Sequence, residues 1–148
     1  MSKSNTFEND LLLLIFNNTD IANIGDAGGL QNSAAAGDLY VALHTGDPGE
    51  AGTAATNEAA YGSYDRVAVA RSGAGWTVAG NSATNAALVQ FPECTSGSET
   101  ITHVSITVGG TPTTADKILY SGALSASRSV SSGIQPQFAA SALTITED

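Results

Sequence analysis

Leu39-Tyr40-Val41-Ala42-Leu43-His44-Thr45-Gly46-Asp47-Pro48-Gly49 is the stretch that decides the fold. Its first seven residues are apolar, aromatic or β-branched, a composition that suits a strand. The last four stop it sharply. Proline fixes φ and glycine tolerates positive φ, so Gly-Asp-Pro-Gly is a strong turn.

The same punctuation recurs down the chain. Further strands are expected at residues 65–71, with Val67 and Val69 on one face, and at 76–78. Another is expected at 86–91, stopped by Pro92. Then come 100–108, 118–120, 129–131, 137–138 and 143–146. For residues 100–108, alternation assigns Thr102, Val104, Ile106 and Val108 to the core. Ile101, His103, Ser105 and Thr107 take the other face. Roughly seven to nine short strands without intervening helices argue for a mainly β protein, an antiparallel sandwich, jelly roll or barrel rather than a βαβ fold. A jelly roll is expected. Residues 50–64 form a long Ala-, Gly- and Thr-rich excursion, and loops beyond about 12 residues are usually functional or mobile.

Upstream of the deciding stretch, the pattern changes to that of a single N-terminal helix over residues 5–18. Asn5 can cap it, with Glu8 as the reciprocal partner. Phe7, Leu11, Leu14 and Ile15 follow the spacing of one helical face. Leu12, Leu13 and Phe16 make the other sides apolar too. A helix that is apolar nearly all round must be buried on most sides. It is either docked deeply on its own protein or gripping a neighbouring subunit. Residues 26–37 are small and polar and read as a loop. The expected organisation is a helical arm and linker over 1–37 and a jelly-roll-like β domain over 38–148.

Composition bounds what such a protein does. The chain has 148 residues, enough for one domain with a real core. Only 13% are charged, about half the usual share. Fourteen acidic residues stand against five basic ones, Lys3, Arg66, Arg71, Lys117 and Arg128, for a net charge of −9. The basic residues are scattered singly, so there is no cluster to replace counterions along phosphates, and no direct nucleic-acid partner is expected. A basic protein surface is one electrostatic complement; simple solubility is another use of the acidity. The lone Cys94 excludes a disulfide within the chain and reads as a small buried residue. Residues 1–4 lack the opening of a secretion signal. The apolar run at 11–16 is far shorter than the roughly 20 residues of a membrane span, so folding in a reducing cytoplasm and no membrane partner are expected.

Chemical constellations are scarce. His44 and His103 sit at strand positions, and none of the familiar metal, nucleophile or phosphate motifs is present. His44 near Asp47 reads as a structural hydrogen-bonder. Asp47, Glu50 and Glu58 flank the long loop without the spacing of a calcium site. Trp76 reads as core. Tyr61 and Tyr64 either face a partner or cover one end of the core. No catalytic, metal or cofactor residue is assigned, and no cofactor is expected. The residues expected to bind a partner are Phe7, Leu11, Leu14, Ile15, Tyr61 and Tyr64.

An ordered series of blocks carries a resemblance. It runs Leu43-His-Thr-Gly-Asp-Pro-Gly49, Asn57-Glu58, Tyr61-x-x-Tyr-x-Arg66, Trp76, Phe91-Pro-x-Cys94, Ile101-Thr-His103, Leu119-Tyr-Ser-Gly-Ala-Leu124, Phe138 and Leu143-Thr-Ile-Thr146. Over about residues 38–148 it resembles a family of small tailed-phage virion proteins, known variously as tail-fibre-like or capsid cement (decoration) proteins. The resemblance implies a jelly-roll-like coat component that binds the major capsid protein and itself as a homo-oligomer, on the capsid surface of the virion, with no catalytic residues. The first functional expectation is therefore a capsid cement protein. The alternative is a tail or tail-fibre component involved in host attachment. A carbohydrate-binding module built on Tyr61, Tyr64 and Trp76 is a second alternative.

Overall fold

The computed structural model describes residues 2–148. The chain is mainly β and antiparallel, with one N-terminal helix. The helix is α1 (Asn5–Asn17), and nine strands follow: β1 (Asp38–His44), β2 (Val67–Ala70), β3 (Trp76–Ala79), β4 (Ser82–Asn85), β5 (Val89–Gln90), β6 (Ser98–Thr107), β7 (Ile118–Ser131), β8 (Gln137–Phe138) and β9 (Thr144–Thr146). They form sheets of order β2-β1-β6-β7, β3-β4-β9 and β5-β8. The chain divides into two compact units, each assembled from separated segments.

The first unit comprises the chain up to Asp38, Val69–Leu88 and Phe138–Asp148. Within it α1 packs on β3 and β4. The helix buries Glu8, Leu12 and Phe16, one residue per turn, and the Phe16 ring lies 4.8 Å from that of the fully buried Trp76. Phe7, Leu11, Leu14 and Ile15 lie on other sides. Phe7 is exposed, and the other three are half-buried. The helix starts one residue earlier than Asn5 capping implies. Ser4 is extended, and its hydroxyl accepts from the Phe7 N–H at 3.3 Å, so Asn5 is already helical. Asn18 ends the helix in the left-handed region at φ 55°. The last turn has no basic residue of its own; Arg71 reaches in instead and donates to the carbonyls of Leu14 and Ile15, where the helix dipole is negative.

Strand β4, Ser-Ala-Thr-Asn, has no apolar alternation and is absent from the sequence reading. It is held by β3 on one side and β9 on the other. Its last residue, Asn85, is fully buried and satisfied: Nδ2 donates to the carbonyls of Ala87 and Ala139, and Oδ1 accepts from the Leu143 N–H.

The second unit comprises Leu39–Ala68 and Val89–Gln137. Here β1 pairs with β6 from Tyr40↔Thr107 to His44↔His103, and β6 pairs with β7. The face of β6 differs from the expected one. Ile101, Ser105, Ile106 and Thr107 are buried, while Val108 is 48% exposed. Two causes act together. A register irregularity between Ile106 and Thr107 resets the alternation. Ser105 and Thr107 also have internal acceptors, His44 and the Lys117 carbonyl, which make their burial affordable. The segments read as separate strands at 118–120 and 129–131 are the two ends of β7. Between them, Leu124, Ser125, Ala126 and Ser127 stand opposite Thr102 alone, where the register steps from Ile101↔Arg128 to His103↔Ala123.

Among the described residues, no helix is long and apolar enough to cross a membrane. Burial along α1 separates core from surface: Leu12→Ala should cost about 2–5 kcal/mol in urea unfolding, as cavity-forming core truncations do, whereas Phe7→Ala should cost about 1 kcal/mol or less.

Candidate functional site

The polar residues of the second unit converge on Arg66. Its side chain is fully buried, and each of its five N–H donors has an acceptor. Nε and one Nη2 hydrogen form a fork on the Glu58 carboxylate, at 2.6 Å to Oε1 and 3.0 Å to Oε2. Nη1 donates to Asp116 Oδ2 at 2.7 Å and to the Gly109 carbonyl at 2.9 Å. The last donor meets the Thr114 carbonyl at 2.9 Å. A fork of this geometry is the strongest arrangement a guanidinium and a carboxylate form.

Glu58 is equally occupied. Besides Arg66 it accepts from the Tyr64 hydroxyl at 3.2 Å and from the Thr113 N–H at 2.8 Å. Thr113 sits at φ 63°, a strained place for a β-branched residue, and the Glu58 bond helps to hold it there. Gly109 has to be glycine: a Cβ there would stand 2.1 Å from Asp116 Oδ2.

Tyr64 links this centre to β1, because its hydroxyl also accepts from the Leu43 N–H at 3.0 Å. Its ring meets Tyr61 edge-on at 5.3 Å and stacks on Phe91 at 6.3 Å. Tyr61 is buried and donates to the Pro92 carbonyl at 3.2 Å. Burial, reinforced by nearby Cys94 and Glu99, pushes the Tyr61 phenol up to about 12, and burial raises Tyr64 further. Both tyrosines are therefore neutral props tied into the protein's own core.

His44 stands beside this network, fully buried on β1. Nδ1 lies 2.9 Å from the Thr56 carbonyl, which can only accept, so Nδ1 carries the hydrogen and donates. Nε2 lies 2.8 Å from the Ser105 hydroxyl. Desolvation holds the His44 pKa below its ordinary value, against the opposing pulls of the Thr56 bond and Glu58. Nε2 is then bare and accepts from Ser105.

These contacts pin the 45–64 excursion. Thr45 N–H donates to Asn57, Ala59 N–H to Leu43 and Ala54 N–H to Asp116. Asp47 closes a turn by accepting from the Gly49 N–H, and Asn57 donates to the Asp47 carbonyl. Cys94 is buried, with Sγ directed at the Ser96 carbonyl. Trp76 is buried in the first unit, so neither it nor Tyr61 presents an exposed face for a sugar. Sequence reasoning singled out Glu58 and His44 separately and passed over Asp116, Ser105 and Thr113. No short-range spacing links these residues; the β1–β6 pairing and the turn after β6 bring them together. Chemically, the centre is a closed set of satisfied donors and acceptors: neither Glu58 nor His44 offers a free atom to a substrate. The remaining residues expected to bind a partner, Phe7, Leu11, Leu14 and Ile15, lie apart from the buried stripe of α1.

The sequence matches the family model described as Podophage GP4 fiber I protein gp80 over residues 2–146. No curated protein matches the chain.

The His44 geometry sets a pH dependence. The unfolded chain protonates this imidazole near 6.5, before the folded one, so it binds more protons as pH falls. Stability should therefore decline as pH drops below about 6.5, and His44→Gln should flatten that part of the profile in thermal melts.

Proposed function

The chain belongs to the podophage GP4 fiber I protein gp80 family, and from that premise we propose that it is a tail-fibre component that takes part in host attachment. It is a structural protein of the phage particle. The observation that carries the fibre reading is the match across nearly the whole chain, residues 2–146, to a family described as a fibre protein. It favours the tail reading over a cement that binds and stabilises the major capsid protein shell. The closed, fully satisfied centre around Arg66 supports a rigid building block.

The half-buried side of α1 is proposed as the attachment surface to a neighbouring virion protein. Leu11 and Leu14 are not needed to fill the stripe formed by Leu12 and Phe16. Burying them against a neighbour would add apolar contact of the kind that anchors stable interfaces.

Immunogold labelling and stoichiometry of purified virions test the position. The fibre reading expects label at the tail, few copies per particle, and reduced host adsorption when the protein is missing. Label over the shell, with many copies and DNA loss on heating of stripped particles, would favour the cement reading. Leu11→Asp with Leu14→Asp should leave the chain folded but block its incorporation into particles, because a charge stranded in a desolvated contact is costly. An unfolded double variant would assign both leucines to the protein's own core.

A further inference from the structure

Strand β7 is an edge of the four-stranded sheet, with β6 as its neighbour. Peptide groups alternate in direction along a strand, so about half of those in β7 point away from β6, as in any sheet edge. Such edges are usually blunted by lysine, proline or inward charges. Among the fourteen residues of β7 the only charge is Arg128, and there is no proline. Ser121, Gly122, Ala123 and Ser129 are exposed.

Charge narrows the choice of occupant. The chain carries −9 overall, yet no carboxylate occurs between Asp116 and Glu147. Two copies approaching through β7 therefore avoid the acidic surface that would otherwise drive them apart.

Shape narrows it further. The four bulged residues 124–127 interrupt the edge. A regular foreign strand would lose register there. An identical strand, running antiparallel about a two-fold axis through the bulge, meets bulge with bulge. Residues 121–123 of one copy then face residues 128–130 of the other. Arg128 falls opposite Ala123, and Gly122 opposite Ser129.

We propose that β7 is a self-pairing edge, at which a second copy of the chain adds antiparallel about a two-fold axis centred on residues 124–127. The contact is isologous, so it closes at two copies. It is smaller than the roughly 800 Å² per partner of a standard interface, so the pairing is weak in dilute solution and gains from the high local concentration within a particle. The proposal does not rest on the fibre reading, and its failure would leave the labelling result untouched.

Sedimentation velocity of the full chain over a concentration series tests it. The expected result is a reversible monomer–dimer equilibrium. Gly122→Glu with Ser129→Glu sets carboxylates opposite one another and should weaken the dimer by about tenfold or more. Gly122→Lys with Ser129→Glu sets opposite charges across the same pair and should restore it. Neither position is packed: a side chain at Gly122 meets nothing within 4 Å, and Ser129 is exposed. Circular dichroism checks that each variant is folded. A wild-type chain that stays monomeric at every concentration, or a dimer indifferent to both variants, would overturn the proposal.

Discussion

One buried guanidinium organises the second unit. Arg66 lies at the start of β2, and its acceptors come from two other places in the chain: Glu58 in the long excursion, and Gly109, Thr114 and Asp116 in the turn between β6 and β7. Ordering a residue costs about 1–2 kcal/mol of backbone entropy, and the excursion has few large apolar side chains to offset it. The chain has a single cysteine and so no disulfide to help. Charge-assisted hydrogen bonds, with Tyr64 and His44 as neighbours, take that role. Burying an ion pair carries a heavy desolvation cost, and only complete hydrogen bonding recovers it. The full set of partners on Arg66 meets that condition.

The same completeness bears on function. A catalytic carboxylate or imidazole needs a lone pair or proton directed at a substrate. Glu58 spends its oxygens on Arg66, Tyr64 and Thr113, and both nitrogens of His44 are engaged inside the core. What remains for function is surface: the outer side of α1 and the β7 edge. That suits a protein whose work is to hold shape within a phage particle, as membership of a fibre family implies.

Much of the fold was legible because strands announce themselves through alternation and turns. β1, β2 and β3 fell where Val and Leu runs and Gly-rich turns put them, and so did the helix. β4 was hidden because Ser-Ala-Thr-Asn carries no apolar signal; its strand character comes from β3 and β9 on either side. The inward face of β6 was misread because Ser105 and Thr107 look like surface residues until their acceptors, His44 and Lys117, are known. The Arg66 centre was half visible. The blocks that carried the family resemblance, His44, Asn57-Glu58 and Tyr61-x-x-Tyr-x-Arg66, contain most of its members, yet nothing in their spacing says that they meet. A lone arginine in a chain with only five basic residues was the available signal, and it read as scattered surface charge.

Amide hydrogen exchange in Arg66→Met tests the central claim most directly. The substitution keeps bulk but strands the buried Glu58 carboxylate, a loss of about 3–5 kcal/mol in comparable sites. If the guanidinium holds the excursion, the amides of Thr45, Ala54 and Ala59 should lose protection by about 100-fold or more, because they donate to Asn57, Asp116 and Leu43 across the segments Arg66 joins. Protection at those amides unchanged from wild type would show that apolar packing alone fixes the excursion and would contradict the account.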